Sequence, residues 1–226
     1  MLEEFENQVS DLLQIYAEKE NERFLYQIED LFKNYLKKNH CNVEILIRFA
    51  IFEYEFFLDD YMALRISRKA AVCKPENLKS FLIMALISFS MSYKHKNYIL
   101  QNLDQIIVEN NVSKSLIAYA KALYWKAFNE ILFIKYLKKS VEYCDSFVWN
   151  NYKLGEIYLK KGNIKKAKEL TEKALRNIQY VYPYPSKEYN ITPAEELINE
   201  RLKGIYITQS NLKFIQEQLE EINQKL

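Results

Sequence analysis

Glycine and proline are nearly missing from this chain, and that scarcity limits the accessible folds more than any other feature. Three glycines and four prolines occur in 226 residues, where average usage is about 7% and 5%. Tight turns and phosphate-cradling loops depend on glycine at positive φ, and proline interrupts helices. A chain short of both suits long helices joined by brief connections. The apolar residues agree, recurring at three- and four-residue spacing through most of the sequence without sustained period-two alternation. At 49% hydrophobic content the chain can bury a substantial core, as one extended domain or two small ones. No sheet is required by the pattern.

The periodicity predicts helices over about 3–18, 22–38, 43–57, 60–73, 77–92, 97–109, 114–127, 130–144, 147–161 and 164–180, which form five antiparallel pairs. Gly162 suits a left-handed helix end and Asn163 a cap for the next helix, with Asn42, Asp59 and Ser146 as comparable caps. After Gln179 the run Tyr180-Val181-Tyr182-Pro183-Tyr184-Pro185-Ser186 contains two prolines and stops the array. The expected organisation is a helical domain over 1–180, a proline- and tyrosine-containing linker over 181–192, and a C-terminal helical region over 193–226. Thr192-Pro193-Ala194-Glu195 carries the cap, first-turn proline and glutamate that open a helix. Beyond it Ile198, Ile205, Leu212, Leu219 and Leu226 recur every seven residues, with Ile215 and Ile222 between them. Gly204 and Ser210 leave room for a break, while the unbroken phase favours one continuous helix.

The segment from Trp149 to Leu175 resembles a tetratricopeptide repeat, a helix pair with a period of about 34 residues. Leu154, Gly155 and Tyr158 stand at the family's first-helix positions and Ala167 and Ala174 at its second-helix positions. Asn151 replaces the family tryptophan and Thr171 the phenylalanine. Small residues at Gly155 and Ala167 let two helices approach closely, and Tyr158 fills the space beside them. A weaker echo places Tyr124 one period earlier, and Ala50, Tyr54, Ala63, Ser67, Ala70 and Pro75 form a clearer one further back. The resemblance covers about 44–180 and implies an all-α, right-handed solenoid of about five such pairs with a C-terminal helical extension.

In that family the first helix of each pair lines a concave face. The resemblance therefore implies a groove carrying Arg48, Phe49, Phe52 and Phe56, then Phe89, then Tyr119 and Trp125, then Trp149, Tyr152, Lys153, Glu156 and Lys160. One reading is a trough for a peptide or helix of a protein partner, since aromatic and arginine anchors dominate many interfaces. The other packs these rings between neighbouring pairs. The lysine and asparagine set by which some members clamp a carboxylate-terminated peptide is missing. The seam of Ile198, Ile205, Leu212, Ile215, Leu219 and Ile222 is expected either to cap the array's end or to self-associate as a homodimer.

Thirty-two basic residues against thirty acidic ones give a formal charge of +2, which supplies no broad field for nucleic acid or anionic membrane. The lysines at 160, 161, 165 and 166 read as a solvated helix end. Cys41, Cys73 and Cys144 are widely spaced and odd in number, as expected of buried thiols in a reducing compartment. The acidic start lacks a secretory pattern, so the expected location is cytoplasmic. His40 and His95, the only histidines, sit in no metal or nucleophile motif, and nucleotide-loop and nucleophile-elbow motifs are missing. Carboxylate pairs such as Asp59-Asp60 and Glu195-Glu196 suit first helical turns. The expectation is a non-catalytic adaptor or regulator, needing no cofactor or metal, that binds protein or peptide. A receptor for a short signalling peptide is the alternative, and a nucleic-acid-binding solenoid is disfavoured.

Overall fold

A computed structural model describes residues 2–89, 96–178, 180–182 and 190–226. Among them the helices are α1 (Leu2–Lys19), α2 (Arg23–Lys38), α3 (Val43–Phe52), α4 (Asp60–Cys73), α5 (Leu78–Ser88), α6 (Lys96–Gln105), α7 (Asn111–Trp125), α8 (Glu130–Tyr143), α9 (Val148–Lys160), α10 (Ile164–Arg176), α11 (Ala194–Ile198) and α12 (Gln209–Gln224). Their starts have a shared chemistry. The side chains of Asn42, Asp59, Asn77, Asn110, Asn129, Asn163 and Thr208 accept hydrogen bonds from exposed amides of the first turns, which satisfies donors a helix cannot pair internally. Ser146 does not cap α9, whose preceding residue is Phe147, and Thr208 caps α12.

By its internal contacts the chain divides into two compact units. The first comprises Met1–Met91 with Pro185–Ala194, the second Ser92–Tyr184 with Glu195–Leu226. This partition differs from the boundaries expected at 180 and 193, because the stretch read as a linker is shared. Tyr180–Tyr182 forms a strand, while Ile191 is buried and the Thr192 amide donates to the Glu55 carboxylate at 3.0 Å. Pro183 and Pro185, like His95, lie outside the described residues.

In the first unit α1 packs on α2, α3 on α4 and α4 on α5. Its core is aromatic: Phe32 stacks on Phe49 with centroids 4.9 Å apart, Phe5 meets Phe32 edge-on, and Phe52 lies beside Phe56 and Phe57. Helix α3 widens into a π-helical turn over Glu53–Phe57, closed by Leu58 in the left-handed region at φ 54°. The Glu53 carbonyl accepts from the Leu58 and Asp59 amides there. Cys41 and Cys73, expected as reduced buried thiols, are instead joined as a disulfide with Cα atoms 5.4 Å apart, and Cys41 is exposed. The antiparallel pairing of α3 and α4 explains it, since the residues just before one helix lie beside the last residue of the other.

In the second unit α7 packs on α8 and α9 on α10. At the α7–α8 crossing, the Ser115 and Ser140 hydroxyls each donate to the other's backbone carbonyl, at 2.8 and 3.1 Å. The two departures from the repeat pattern are polar links. Asn151 donates to the Asp145 and Phe147 carbonyls, both at 2.7 Å, tying the α8–α9 turn to the helix, and the Thr171 hydroxyl accepts from Gln218 of α12 at 2.7 Å.

The C-terminal region is not the continuous helix its seven-residue phase favours. Helix α11 passes into a second π turn, Asn199–Lys203, and Gly204 at φ 70° ends it. Extended strand β2 (Tyr206–Thr208) follows and pairs in parallel with β1 (Tyr180–Tyr182), setting Val181 opposite Ile207. The chain thus carries a two-stranded sheet that the sequence pattern did not require.

Candidate interaction surfaces

Helix α9 presents five of the residues expected to line a groove, and the chain itself occupies two of them. The Trp149 indole donates to the Glu200 carbonyl at 2.6 Å. A Cβ on Gly204 would lie 2.8 Å from the Trp149 ring, so only glycine allows this approach. Tyr152 packs with Trp149 and Leu212 against buried Val148, Ala174, Ile207 and Ile215. Burial first, then the charges of Glu156 and Glu217, push its phenol above the ordinary value. Half-buried Lys153 and Glu156 and exposed Lys160 form a ladder instead, with Glu156 bridging the two ammonium groups at 3.3 and 3.1 Å. Burial alone would raise the Glu156 carboxyl, but the two lysines outweigh it and hold it low.

The heptad residues face inward except Leu226, which is exposed. Ile215 and Ile222 of α12 are fully buried against α9 and α10, Leu212 and Leu219 are half-buried, and Ile198 is buried on α11. Ile205 lies in the break after Gly204 and is half-buried. Gln218 adds the polar contact to Thr171 and a longer one, 3.4 Å, to the Tyr152 carbonyl. A buried isoleucine contributes about 1.5–3 kcal/mol, so displacing α12 would cost several kcal/mol.

Of the remaining expected groove residues, Phe49 and Phe52 are core members of the first unit and Phe56 is half-buried beside Phe52 and Tyr16. Arg48 pairs with Glu6 at 3.3 Å, and Phe89 is half-buried. Tyr119 and Trp125 are buried in the second unit, where burial pushes the Tyr119 phenol strongly upward. Phe49, Phe52, Tyr119 and Trp125 are thus packed within the cores of their own units.

Two features escaped the sequence reading. Glu53, in the first π turn, is 3% exposed and its Oε1 has no hydrogen-bond partner among the described residues. Burial, reinforced by Glu29 and Asp59 and only partly offset by Lys33, raises its pKa from 4.5 to about 7. A cavity of about 300 Å³ lies among α6, α7 and α8, lined by apolar residues and three lysines. Those lysines sit on separate helices or two turns apart and form no run in sequence. Among the described residues no helix is long and apolar enough to cross a membrane.

No protein-family model matches the sequence, and no curated protein is matched by it. Solved structures are similar. A crystal structure of MamA superimposes with TM-score 0.54 at 20% identity, covering 71% of this chain and 92% of that one. MamA from Desulfovibrio magneticus RS-1 gives 0.52 at 14% identity, covering 75% and 94%. Pseudomonas aeruginosa PilF gives 0.56 at 10% identity, covering 98% and 91%. Both are tetratricopeptide-repeat proteins. At such identities the likeness speaks to fold alone, and it assigns this chain an all-α fold of tetratricopeptide-like helix pairs with a C-terminal helical extension.

Proposed function

We propose that this chain is a non-catalytic interaction module that holds a peptide or helix of a protein partner on the face of α9 that carries Lys153, Glu156 and Lys160. The observation that carries this reading is the seat of α12. The α9–α10 pair already receives an amphipathic helix, through Ile215, Ile222 and the Gln218–Thr171 bond, which is how helix-in-groove recognition works. Because that wall is filled and its occupant is held by several kcal/mol, a partner uses the neighbouring face, where Lys160 is exposed and Lys153 and Glu156 are half-buried. There a cation–anion–cation ladder supplies register and apolar stems supply contact.

Peptides selected from a display library on the purified chain test it. The expected result is saturable binding with hydrogen-exchange protection over 148–160, weakened by Lys153→Ala with Lys160→Ala. Binders that protect only other helices, or a library that yields no saturable binder, would refute it.

A further inference from the structure

The cavity among α6, α7 and α8 belongs to a different part of the second unit from the α9 face, and its chemistry is one-sided. Its floor is apolar, with Ile117 and Ala118 of α7 and Leu103 of α6. At its rim Ile107 is 94% exposed, an apolar side chain where a solvated surface ordinarily places a polar one. Around this floor stand Lys114 and Lys121 of α7 and Lys139 of α8, against one acidic residue, Asp104.

The three ammonium groups are not equivalent. Lys121 is 8% exposed, ion-paired with Asp104, and set 5.7 Å from the centre of the Tyr136 ring. Lys114 and Lys139 have no ion pair among the described residues. Lys114 also lies in the first turn of α7, near the positive end of the helix dipole, where a cation is disfavoured by about 0.3–1 kcal/mol. The site therefore concentrates positive potential that the fold leaves uncompensated. Tyr136, whose phenol is pushed up by burial and then by Asp104, remains a hydrogen-bond donor at the wall.

We propose that this cavity is a second binding site, for a partner segment in which an apolar side chain is flanked by acidic ones. The apolar side chain fills the floor and covers Ile107, and the flanking carboxylates meet Lys114 and Lys139. A volume of about 300 Å³ lies at the lower limit for small-molecule sites. It accommodates one or two side chains, and an extended segment also covers the exposed rim, which a small anion does not.

The test uses the full chain and a fluorescein-labelled, C-terminally amidated peptide with the core Asp-Glu-Leu-Phe-Asp-Glu, so that all its carboxylates are side chains. Fluorescence anisotropy is expected to give saturable binding that weakens at least about tenfold in Lys114→Glu and in Lys139→Glu and is unchanged in Lys213→Glu on α12. Binding is expected to fall with added salt, as screening requires, and to be lost when the acids become amides or when Leu-Phe becomes Ser-Ser. If either charge reversal perturbs the circular dichroism, the double Lys114→Gln, Lys139→Gln variant replaces it with the same expectation. Binding indifferent to these lysines, equal binding of the amide peptide, or tighter lysine-dependent binding of a single-stranded oligonucleotide or of anionic vesicles would overturn the proposal. Loss of this site leaves peptide protection over 148–160 as an independent readout of the α9 face.

Discussion

Replacing Glu53 by glutamine keeps the side chain's shape and removes its charge, and the structure fixes how the effect depends on pH. The carboxyl is 3% exposed, with one oxygen unpartnered among the described residues, while Lys33, the cation that partly offsets its burial, is itself bound to Glu29. Its pKa is about 7 in the folded chain against an ordinary 4.5, so the folded state holds the proton more tightly than the unfolded one. Below pH 4.5 both states are protonated and nothing is lost. Between 4.5 and 7 the unfolded state releases its proton first and stability falls as pH rises, and above 7 the full penalty, about 3 kcal/mol, applies. The glutamine variant carries no such titration, although its buried amide loses about 1–3 kcal/mol at every pH if left unpaired. The informative quantity is therefore the change with pH, in which that constant cancels. Relative to wild type, Glu53→Gln gains about 2.5 kcal/mol between pH 5 and pH 8. In urea denaturation followed by circular dichroism, with a slope of about 2 kcal/mol per molar, this is a relative midpoint shift of about 1 M. Parallel movement of the two midpoints across that pH range would refute the account of Glu53 as a buried, uncompensated carboxyl.

Gly204→Ala places a Cβ 2.8 Å from the Trp149 ring and 2.9 Å from Val148 at a positive φ; it should destabilise the second unit by more than about 2 kcal/mol. Gly162→Ala, with nothing within 4 Å, should cost only the left-handed term of about 1–2 kcal/mol, and equal thermal midpoints for the two variants would contradict the packing described. The Cys41–Cys73 bridge spans a sequence separation of 32, which corresponds to about 3–4 kcal/mol of unfolded-state restriction. Thermal unfolding with and without reductant measures it, and the Cys41→Ser, Cys73→Ser double variant should abolish the difference. Because Ile215 and Ile222 face α9 and α10, the chain should sediment as a monomer at tens of micromolar; a dimer that persists in Phe214→Glu, at an exposed position of α12 outside the seam, would show the seam to be shared between copies.

Helices were legible because their cause is local. The stripe Leu25, Ile28, Phe32 and Leu36 buries one side of α2, and Asn163 caps α10 with its own side chain, so residues a turn apart carry both signals. What the sequence concealed is set by residues far apart in it. The pairing of Tyr180-Val181-Tyr182 with Tyr206-Ile207-Thr208 was signalled only by two short aromatic and β-branched triplets, which period counting passes over at three residues. Gly204 kept the seven-residue phase intact while its backbone turned, since phase counts residues and is blind to φ. The groove suffered the same fate. Trp149 and Tyr152 fall on one helical face, as their spacing requires, but only the distant Glu200 and Ile215 determine that this face is filled. Lys114, Lys121 and Lys139 converge through the pairing of α7 with α8 and the approach of α6, which leaves no run of charge to notice.

The Thr192 amide on the Glu55 carboxylate has a consequence for how the protein is born. The first unit draws on residues up to Ala194, after an interruption of 93 residues, Ser92 through Tyr184. At roughly 5–20 residues per second, a ribosome delivers its first ninety residues some seconds before the short segment that completes them. The Glu55–Thr192 bond forms only once that segment is made, and β1 likewise pairs only when β2 has emerged. The segment up to Ala194 completes the first unit and the stretch from Glu195 completes the second directly after it, so a chain that stops anywhere before Ala194 leaves neither one whole.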